Sequence, residues 1–130
     1  MPLYVDTSAV AKLVKREAES EALEAFLGGN TDRLTTSVLT TVELIRVLSR
    51  GDGEWAARAM DALAGIDTIE LSPDILREAG TILPAALRTL DALHVASALS
   101  LGSECAAVIT YDLRMAEGCR LAGLSVVAPA

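Results

Sequence analysis

The chain has 130 residues, of which 52% are apolar, and this size and composition favour one folded domain with a real core over a disordered chain. A net charge of −7 argues against nucleic-acid binding through a broad basic surface, and aromatics at 3% argue against a stacking platform for single strands. No apolar run approaches the ~18 residues of a membrane helix, and the start lacks the pattern of a signal peptide, so we expect a cytoplasmic protein.

Short apolar runs alternate with longer amphipathic segments along the chain, which is the pattern of alternating strands and helices. In chain order, we predict strand 3–5, helices 8–15 and 19–27, strand 34–36, helices 37–50 and 54–64, strand 68–71, helices 72–84 and 89–101, strand 106–110, helix 112–123 and strand 125–127. This alternation indicates an α/β fold with a parallel sheet of short strands, formed by residues 1–130 as a single domain.

Two aspartates follow predicted strands directly or nearly so. Asp6 comes after Leu3-Tyr4-Val5, and Asp112 comes after Val108-Ile109-Thr110. Each is a favourable helix cap, but ligands of parallel sheets also bind beyond the carboxyl ends of the strands. If the two strands are neighbours, both carboxylates point into one crevice, with the hydroxyls of Ser8 and Thr110 beside them.

Two further acids lie within predicted helices among apolar residues. Glu43 lies between Val42 and Leu44, and Asp91 lies between Leu90 and Ala92. A carboxylate in an apolar stripe costs desolvation unless a positive group meets it. The alternatives are a solvated helix edge or an ion pair with a nearby arginine for Glu43, and a favourable first-turn charge for Asp91.

A shared metal site would explain all four acids together. Carboxylates that are held close to one another repel, and a cation neutralises them. Mg²⁺ or Mn²⁺ suits an all-oxygen site with several water ligands, and such an ion can activate water and orient a phosphate. We therefore predict that Asp6, Glu43, Asp91 and Asp112 bind a divalent cation and act in phosphodiester hydrolysis.

The remaining reactive side chains are expected to be structural. Cys105 and Cys119 have no metal-ligand spacing and are interpreted as reduced, small core residues. His94, the one histidine, lacks partners for a zinc site and is interpreted as structural rather than catalytic.

Four segments resemble the PIN-domain family, in particular its toxin branch, the VapC ribonucleases of toxin–antitoxin modules. The segments, which are spread along nearly the whole chain in the family's order, are Val5-Asp6-Thr7-Ser8, Val42-Glu43-Leu44, residues 90–98 with the sequence LDALHVASA, and Ile109-Thr110-Tyr111-Asp112-Leu113-Arg114.

This resemblance implies a three-layer α/β/α sandwich with a mainly parallel sheet, and a homodimer. It implies an endoribonuclease that uses Mg²⁺ or Mn²⁺ and water and leaves a 5′-phosphate. It also implies that Asp6, Glu43, Asp91 and Asp112 are the metal and catalytic carboxylates, Asp112 directly or through water. The implied partner is a VapB-like antitoxin that covers the active site.

The acidic net charge suggests that RNA is bound locally, by cations near the acids. Arg46, Arg88 and Arg114 are the candidate RNA-binding residues, although solubility or ion pairing also explains each of them. Lys12, Lys15 and Arg50 are further candidates. The helices at about 38–48 and 54–63 are candidates for the dimer or antitoxin surface, but their apolar spacing is equally typical of core.

Three other functions compete with this interpretation. A phosphotransferase with an aspartyl nucleophile would need a second acid near Ser8 and a lysine near a later strand, and no lysine follows Lys15. A catalytically silent dimeric binding module would not need intact acids. A PIN nuclease that processes RNA outside a toxin–antitoxin module would lack a neighbouring antitoxin gene.

Overall fold

The computed structural model describes residues 1–51 and 53–130. Its strands are β1 (Leu3–Val5), β2 (Leu34–Ser37), β3 (Asp67–Ile69), β4 (Ala107–Ile109) and β5 (Val126–Val127). Its α-helices are α1 (Thr7–Val14), α2 (Ser20–Gly28), α3 (Val38–Leu48), α4 (Glu54–Ala64), α5 (Pro73–Thr81), α6 (Thr89–Leu99) and α7 (Leu113–Leu121), and a 3₁₀ turn spans Gly102–Glu104. None of these helices combines the length and the apolarity needed to cross a bilayer.

The strands form one sheet in the order β3-β2-β1-β4-β5, with every pair parallel. The predicted α/β fold with a short-stranded parallel sheet is therefore confirmed. β1 lies in the centre, and the chain builds outward from it first through β2 and β3 and later through β4 and β5. Such a reversal of strand order opens a crevice at the carboxyl ends of the two strands concerned.

Alternate residues of the central strands face opposite sides of the sheet, and a hydrophobic core forms on each side. Leu3, Val5 and Ile109 pack with buried residues of α1 to α4. Tyr4 and Val108 pack with buried residues of α6 and α7 on the other face. Since both faces are covered by helices, the molecule has the predicted three-layer α/β/α architecture.

Most predicted boundaries differ from those in the structure by one to three residues, and three of these differences have a clear local reason. α1 begins at Thr7 rather than Ser8, because Asp6 accepts a hydrogen bond from the Ala9 N–H and is the cap. α5 ends at Thr81 and not near Pro84, since proline disfavours helical backbone in the residue before it. β3 ends at Ile69 rather than Leu71, because its partner β2 ends at Ser37, opposite Ile69.

The two cysteines are both free. Cys119 is fully buried in the core between the sheet and α7, as expected. Cys105 is half-buried and packs at the margin of that core.

Candidate active site

The carboxyl ends of β1 and β4 lie side by side at one edge of the sheet. The two strands pair in parallel, with Val5 opposite Ile109. Asp6 directly follows β1, and Asp112 follows β4 after a short turn. The hypothesis that both aspartates reach one crevice required neighbouring strands, and the structure has them at the point where the strand order reverses.

Asp6 is 4% exposed, and both of its carboxylate oxygens accept hydrogen bonds. Ser8 Oγ (2.6 Å) and the Ala9 N–H (3.0 Å) donate to Oδ1, and Thr110 Oγ1 (2.5 Å) donates to Oδ2. Burial raises the pKa of Asp6, and these three hydrogen bonds oppose the rise. Asp6 thus caps α1, as one of the two roles weighed from the sequence requires, and it lies at the β1–β4 edge, where the other role would place it.

Ser8 and Thr110 tie the ends of β1 and β4 together. Each hydroxyl donates to Asp6, and each accepts a hydrogen bond from the turn after β4. The Tyr111 N–H donates to Ser8 Oγ at 2.9 Å, and the Asp112 N–H donates to Thr110 Oγ1 at 3.1 Å. Because these contacts satisfy both hydroxyls within the protein, their role is to hold Asp6 and Asp112 in a fixed relation.

Asp112 caps α7 through one carboxylate oxygen. Oδ1 accepts hydrogen bonds from the N–H groups of Arg114 (2.9 Å) and Met115 (3.2 Å). In the described part of the chain, no hydrogen-bond donor reaches Oδ2. The carboxylate of Asp112 is therefore fixed through Oδ1, while Oδ2 accepts no hydrogen bond from the described residues.

Asp91 lies in the first turn of α6 and is half-buried. Burial is the main cause that raises its pKa, and the charges of Asp112 and Asp6 raise it further. His94 and Arg88 oppose the rise. Asp91 is thus within range of the charges of both strand-end aspartates, so these three of the four predicted acids lie in the same region of the molecule.

Glu43 approaches the same region from α3, and its side chain is 25% exposed. Its Oε1 accepts hydrogen bonds from Thr7 Oγ1 at 3.0 Å and from His94 Nε2 at 2.6 Å. The arginines nearest to Glu43 in the sequence, Arg46 and Arg50, form no ion pair with it among residues 1–51 and 53–130. Glu43 is instead connected to Asp6 through the adjacent Thr7, and to Asp91 through His94, one turn further along α6.

His94 therefore contacts the candidate site, although we interpreted it from the sequence as a structural residue. It is 2% exposed, and its two ring nitrogens contact Glu43 and Tyr4. The available signal was its spacing, since a residue three positions after Asp91 shares a helix face with it. Thr7 was likewise missed, although it directly follows Asp6.

The three arginines predicted to bind RNA are all exposed. Arg88 lies at the start of α6. Arg114 lines a separate cavity of about 370 Å³ together with Pro84, Leu87 and Glu117, and none of the four acids lines that cavity. Lys12, by contrast, is held in ion pairs with Glu17 and Glu19 and lies over the ring of Tyr111, so it is not available as a free cation.

The donor set of the crevice fits a hydrated hard cation. Among residues 1–51 and 53–130, no three His, Cys, Asp or Glu side chains are arranged to enclose a metal ion by themselves. Mg²⁺ does not require such a cage, because it keeps several waters and binds through one or two carboxylates. The oxygens available to it belong to carboxylates that already repel one another, and a divalent cation would relieve that repulsion.

Comparisons with known proteins identify the family of the chain. A family model described as PIN domain matches residues 3–121. Ribonuclease VapC47 of Mycobacterium tuberculosis (strain CDC 1551 / Oshkosh) is 40% identical over 131 residues, which cover 98% of this chain and 96% of that protein. Ribonuclease VapC46 of Mycobacterium tuberculosis (strain ATCC 25618 / H37Rv) is 41% identical over 128 residues, with 98% and 97% covered.

Solved structures share the fold at low sequence identity. The crystal structure of Mycobacterium tuberculosis VapC20, a sarcin–ricin loop cleaving toxin, has a TM-score of 0.76 at 20% identity and covers 98% of this chain and 99% of that one. VapBC2 from Rickettsia felis, bound to a DNA fragment from its promoter, has a TM-score of 0.78 at 12% identity, with 100% of both chains covered. At this identity the likeness concerns the fold alone.

Asp91→Asn is expected to stabilise the metal-free protein at pH 7. Since folding raises the pKa of Asp91, stability falls as the pH rises from the unfolded value of about 3.9 through the folded value, and above that window the charge opposes folding. Asparagine removes the charge. In EDTA, the midpoint of urea unfolding should therefore be higher than in the wild type at pH 7, and the difference should shrink as the pH approaches 4.

Asp74→Asn is the matched control for this measurement. Asp74 also lies in the first turn of a helix, but its side chain is 89% exposed. Its replacement should leave the midpoint unchanged or lower it slightly, because only a favourable helix-end charge and an exposed ion pair with Arg77 are lost. An Asp91→Asn midpoint at or below the wild-type midpoint at pH 7 would contradict the electrostatic account of the site.

Proposed function

The chain belongs to the PIN-domain family, and we propose that it is a Mg²⁺- or Mn²⁺-dependent endoribonuclease and the toxin of a VapBC-like toxin–antitoxin pair. One observation carries the proposal: Asp6 and Asp112 follow adjacent parallel strands, and their charges both act on Asp91. The ribonuclease names of relatives with about 40% identity over nearly the whole chain support RNA as the substrate.

Asp6, Glu43, Asp91 and Asp112 form the proposed catalytic and metal-binding set. When bound, the cation would supply a Lewis acid that favours ionisation of water and offsets the charge of the phosphate. Asp112 Oδ2, Glu43 Oε2 and the carboxylate of Asp91 are free of hydrogen bonds within the described residues and are the oxygens that can face cation or water. Both oxygens of buried Asp6 accept hydrogen bonds, but Oδ2 has a single donor and can accept a further bond, so it can also face the cation.

The reaction that this set supports is hydrolysis by water. A water oxygen bonds to the phosphorus, its proton passes to a carboxylate, and the 3′ oxygen of the preceding nucleotide leaves and takes up a proton. The products carry a 5′-phosphate and a 3′-hydroxyl. Histidine is not required as the base, because the cation would favour ionisation of the water and a carboxylate of the set could take up the proton.

RNA binding is proposed to be local. With a net charge of −7, the chain has no excess of cations for a broad phosphate-binding surface. Arg46, Arg88 and Arg114 are exposed on the elements that carry Glu43, Asp91 and Asp112. They can therefore contact phosphates beside the acids, while the cation supplies the positive charge at the scissile phosphate itself.

The antitoxin is proposed to cover the face formed by α3 and α4. Val42, Val47 and Met60 on these helices are 59%, 51% and 52% exposed, which is unusual for three large apolar side chains on adjacent elements. Val47 follows Glu43 by one helical turn, so a partner on this face would reach the active site. Structures of similar fold that contain toxin and antitoxin, such as one from Klebsiella pneumoniae, are consistent with this partner.

The remaining parts of the proposal concern the form in which the protein acts. We propose that residues 1–130 are a single PIN-like domain, since the family model spans residues 3–121 and both cores share one sheet. We also propose that it acts as a homodimer in the cytoplasm, where RNA and a VapB-like antitoxin would meet it.

Antitoxin-free protein is expected to cut cellular RNA into discrete products in Mg²⁺ or Mn²⁺, and to cut nothing in EDTA. Asp91→Asn should lower the cleavage rate by about 100-fold or more, as is typical when a group that stabilises transition-state charge is lost. The measurement is single-turnover cleavage followed by mapping of the 5′ ends, which should carry phosphate.

Asp74→Asn serves again as the control and should cleave at the wild-type rate, since the exposed Asp74 lies on α5, outside the cluster. Cleavage that persists in EDTA and in Asp91→Asn would contradict the carboxylate mechanism. Folded wild-type protein that cuts no RNA in either metal would favour the silent binding module.

Arg114→Ala is expected to weaken RNA binding and to lower its salt dependence. If Arg114 contacts one phosphate of a single strand, the slope of log K against log salt concentration should become less steep by about 0.7. Binding would be measured on the non-cleaving Asp91→Asn background. Arg77→Ala is the control, because Arg77 is exposed on α5 and paired with Asp74; an equal change in both variants would argue against a specific contact.

A further inference from the structure

We propose that His94 is a positioning residue: its Nε2–H holds Oε1 of Glu43, so that Oε2 is the oxygen that Glu43 offers to the cation or water. The inference rests on the proposed ribonuclease function and goes beyond it, because it assigns a role to a residue outside the carboxylate set. It starts from one buried chain of contacts. The Tyr4 hydroxyl lies 2.7 Å from His94 Nδ1, and His94 Nε2 lies 2.6 Å from Glu43 Oε1.

Burial makes these contacts obligatory. Tyr4 is 0% exposed and His94 is 2% exposed, so water does not compete for their polar atoms. A buried polar group without a partner is costly, and within the described residues every buried side-chain nitrogen and oxygen has one. The ring of His94 is therefore fixed at both nitrogens, and its orientation is set by Tyr4 on the side away from Glu43.

The direction of the hydrogen bonds follows from Glu43. Its carboxylate has no hydrogen to donate, so the 2.6 Å contact between Glu43 Oε1 and His94 Nε2 requires a hydrogen on Nε2. A neutral ring with its hydrogen on Nε2 has a bare Nδ1, which accepts a hydrogen bond from the Tyr4 hydroxyl at 2.7 Å. Burial raises the pKa of Tyr4 well above its usual value, so the phenol keeps the hydrogen that it donates.

Two donors then meet on a single oxygen of Glu43. Oε1 accepts from His94 Nε2 at 2.6 Å and from Thr7 Oγ1 at 3.0 Å, while no donor in residues 1–51 and 53–130 reaches Oε2. These contacts fix the rotation of the carboxylate. They also tie it to the other acids, since Thr7 follows Asp6 and His94 lies one turn after Asp91 on α6.

Asp112 shows the same pattern of hydrogen bonds, because its Oδ1 accepts two of them and its Oδ2 accepts none from the described residues. For Asp112 the donors are backbone N–H groups of α7, which no substitution of a side chain removes. Glu43 lies within α3, where the backbone offers no free N–H, so side chains must do the same work. His94 and Thr7 are the side chains that do it.

The tautomer of His94 can be tested directly, because the chain has one histidine. A long-range ¹H–¹⁵N spectrum, recorded on metal-free protein at pH 8, would contain imidazole signals from His94 alone. We expect Nε2 to be protonated and Nδ1 to be bare. A bare Nε2, with the hydrogen on Nδ1 alone, or averaging between the two neutral tautomers, would overturn the inference.

Metal binding tests the consequence for Glu43. Mn²⁺ affinity is measured by electron paramagnetic resonance on wild type, His94→Leu, His94→Gln and Tyr4→Phe. We expect His94→Leu to weaken binding by about 10- to 100-fold, as is typical for residues that orient metal ligands. His94→Gln keeps an N–H near the position of Nε2 and should recover most of the loss. Tyr4→Phe should weaken binding less than His94→Leu.

Ser97→Ala separates positioning from general damage to α6. Ser97 is buried one turn after His94, and its Oγ donates to Leu93 O at 2.8 Å without reaching Glu43. Its replacement should lower stability but leave Mn²⁺ affinity unchanged. If His94→Leu does not fold, Tyr4→Phe and the imidazole spectrum carry the test, and a wild-type Mn²⁺ affinity in Tyr4→Phe together with a bare Nε2 in the wild-type ring overturns the inference.

The inference and the proposed function fail in different ways. Wild-type protein that binds no Mn²⁺ and cuts no RNA would refute the proposed function, and the imidazole spectrum would still decide whether His94 holds Glu43. Wild-type protein that binds Mn²⁺, with a folded His94→Leu that binds it equally well, would leave the proposed function standing and refute the positioning role.

Discussion

The hydrogen bonds that Ser8 and Thr110 donate to Asp6 are the interaction on which the rest of the site depends. The strands β1 and β4 have three residues each, so their ladder is too short to fix by itself where the turns beyond them go. The bond from Thr110 to Asp6 joins positions 104 residues apart, and Asp6 also caps α1. Through Thr110 the same network reaches the N–H of Asp112, the cap of α7. A buried carboxylate is costly, but here its three donors offset part of that cost and determine the shape of the crevice.

The buried acids of this site destabilise the folded protein. Burial and neighbouring charges raise the pKa values of Asp6 and Asp91, so at neutral pH each ionised carboxylate disfavours folding relative to an exposed one. Such a cluster persists because the two cores on either side of the sheet supply the stability that it lacks. The arrangement is the usual compromise between stability and activity, and a divalent cation would be the natural counter-charge.

Most elements could be predicted from the sequence, because periodicity, caps and prolines act locally, whereas the three layers were implied by the resemblance to a known family. Local patterns also placed Asp6 and Asp112 at strand ends and picked out Glu43 and Asp91 as acids among apolar helix residues, and the resemblance supported all four. The adjacency of β1 and β4 could not be predicted from local signals, since strand order depends on pairing between distant segments. The role of His94 was missed for the same reason: its partners Glu43 and Tyr4 lie 51 and 90 positions away, and only the folded chain brings them together.

If the carboxylates at the β1–β4 edge form one cation site, a bound ion can be located among them by crystallography. Crystals grown with Mn²⁺ and measured near the manganese absorption edge would show the ion in an anomalous difference map. The account predicts a peak in the crevice, in contact with oxygens of Asp91, Asp112 or Glu43 directly or through water, and near Asp6. A peak at another place, or an empty crevice at a Mn²⁺ concentration that supports RNA cleavage, would contradict it.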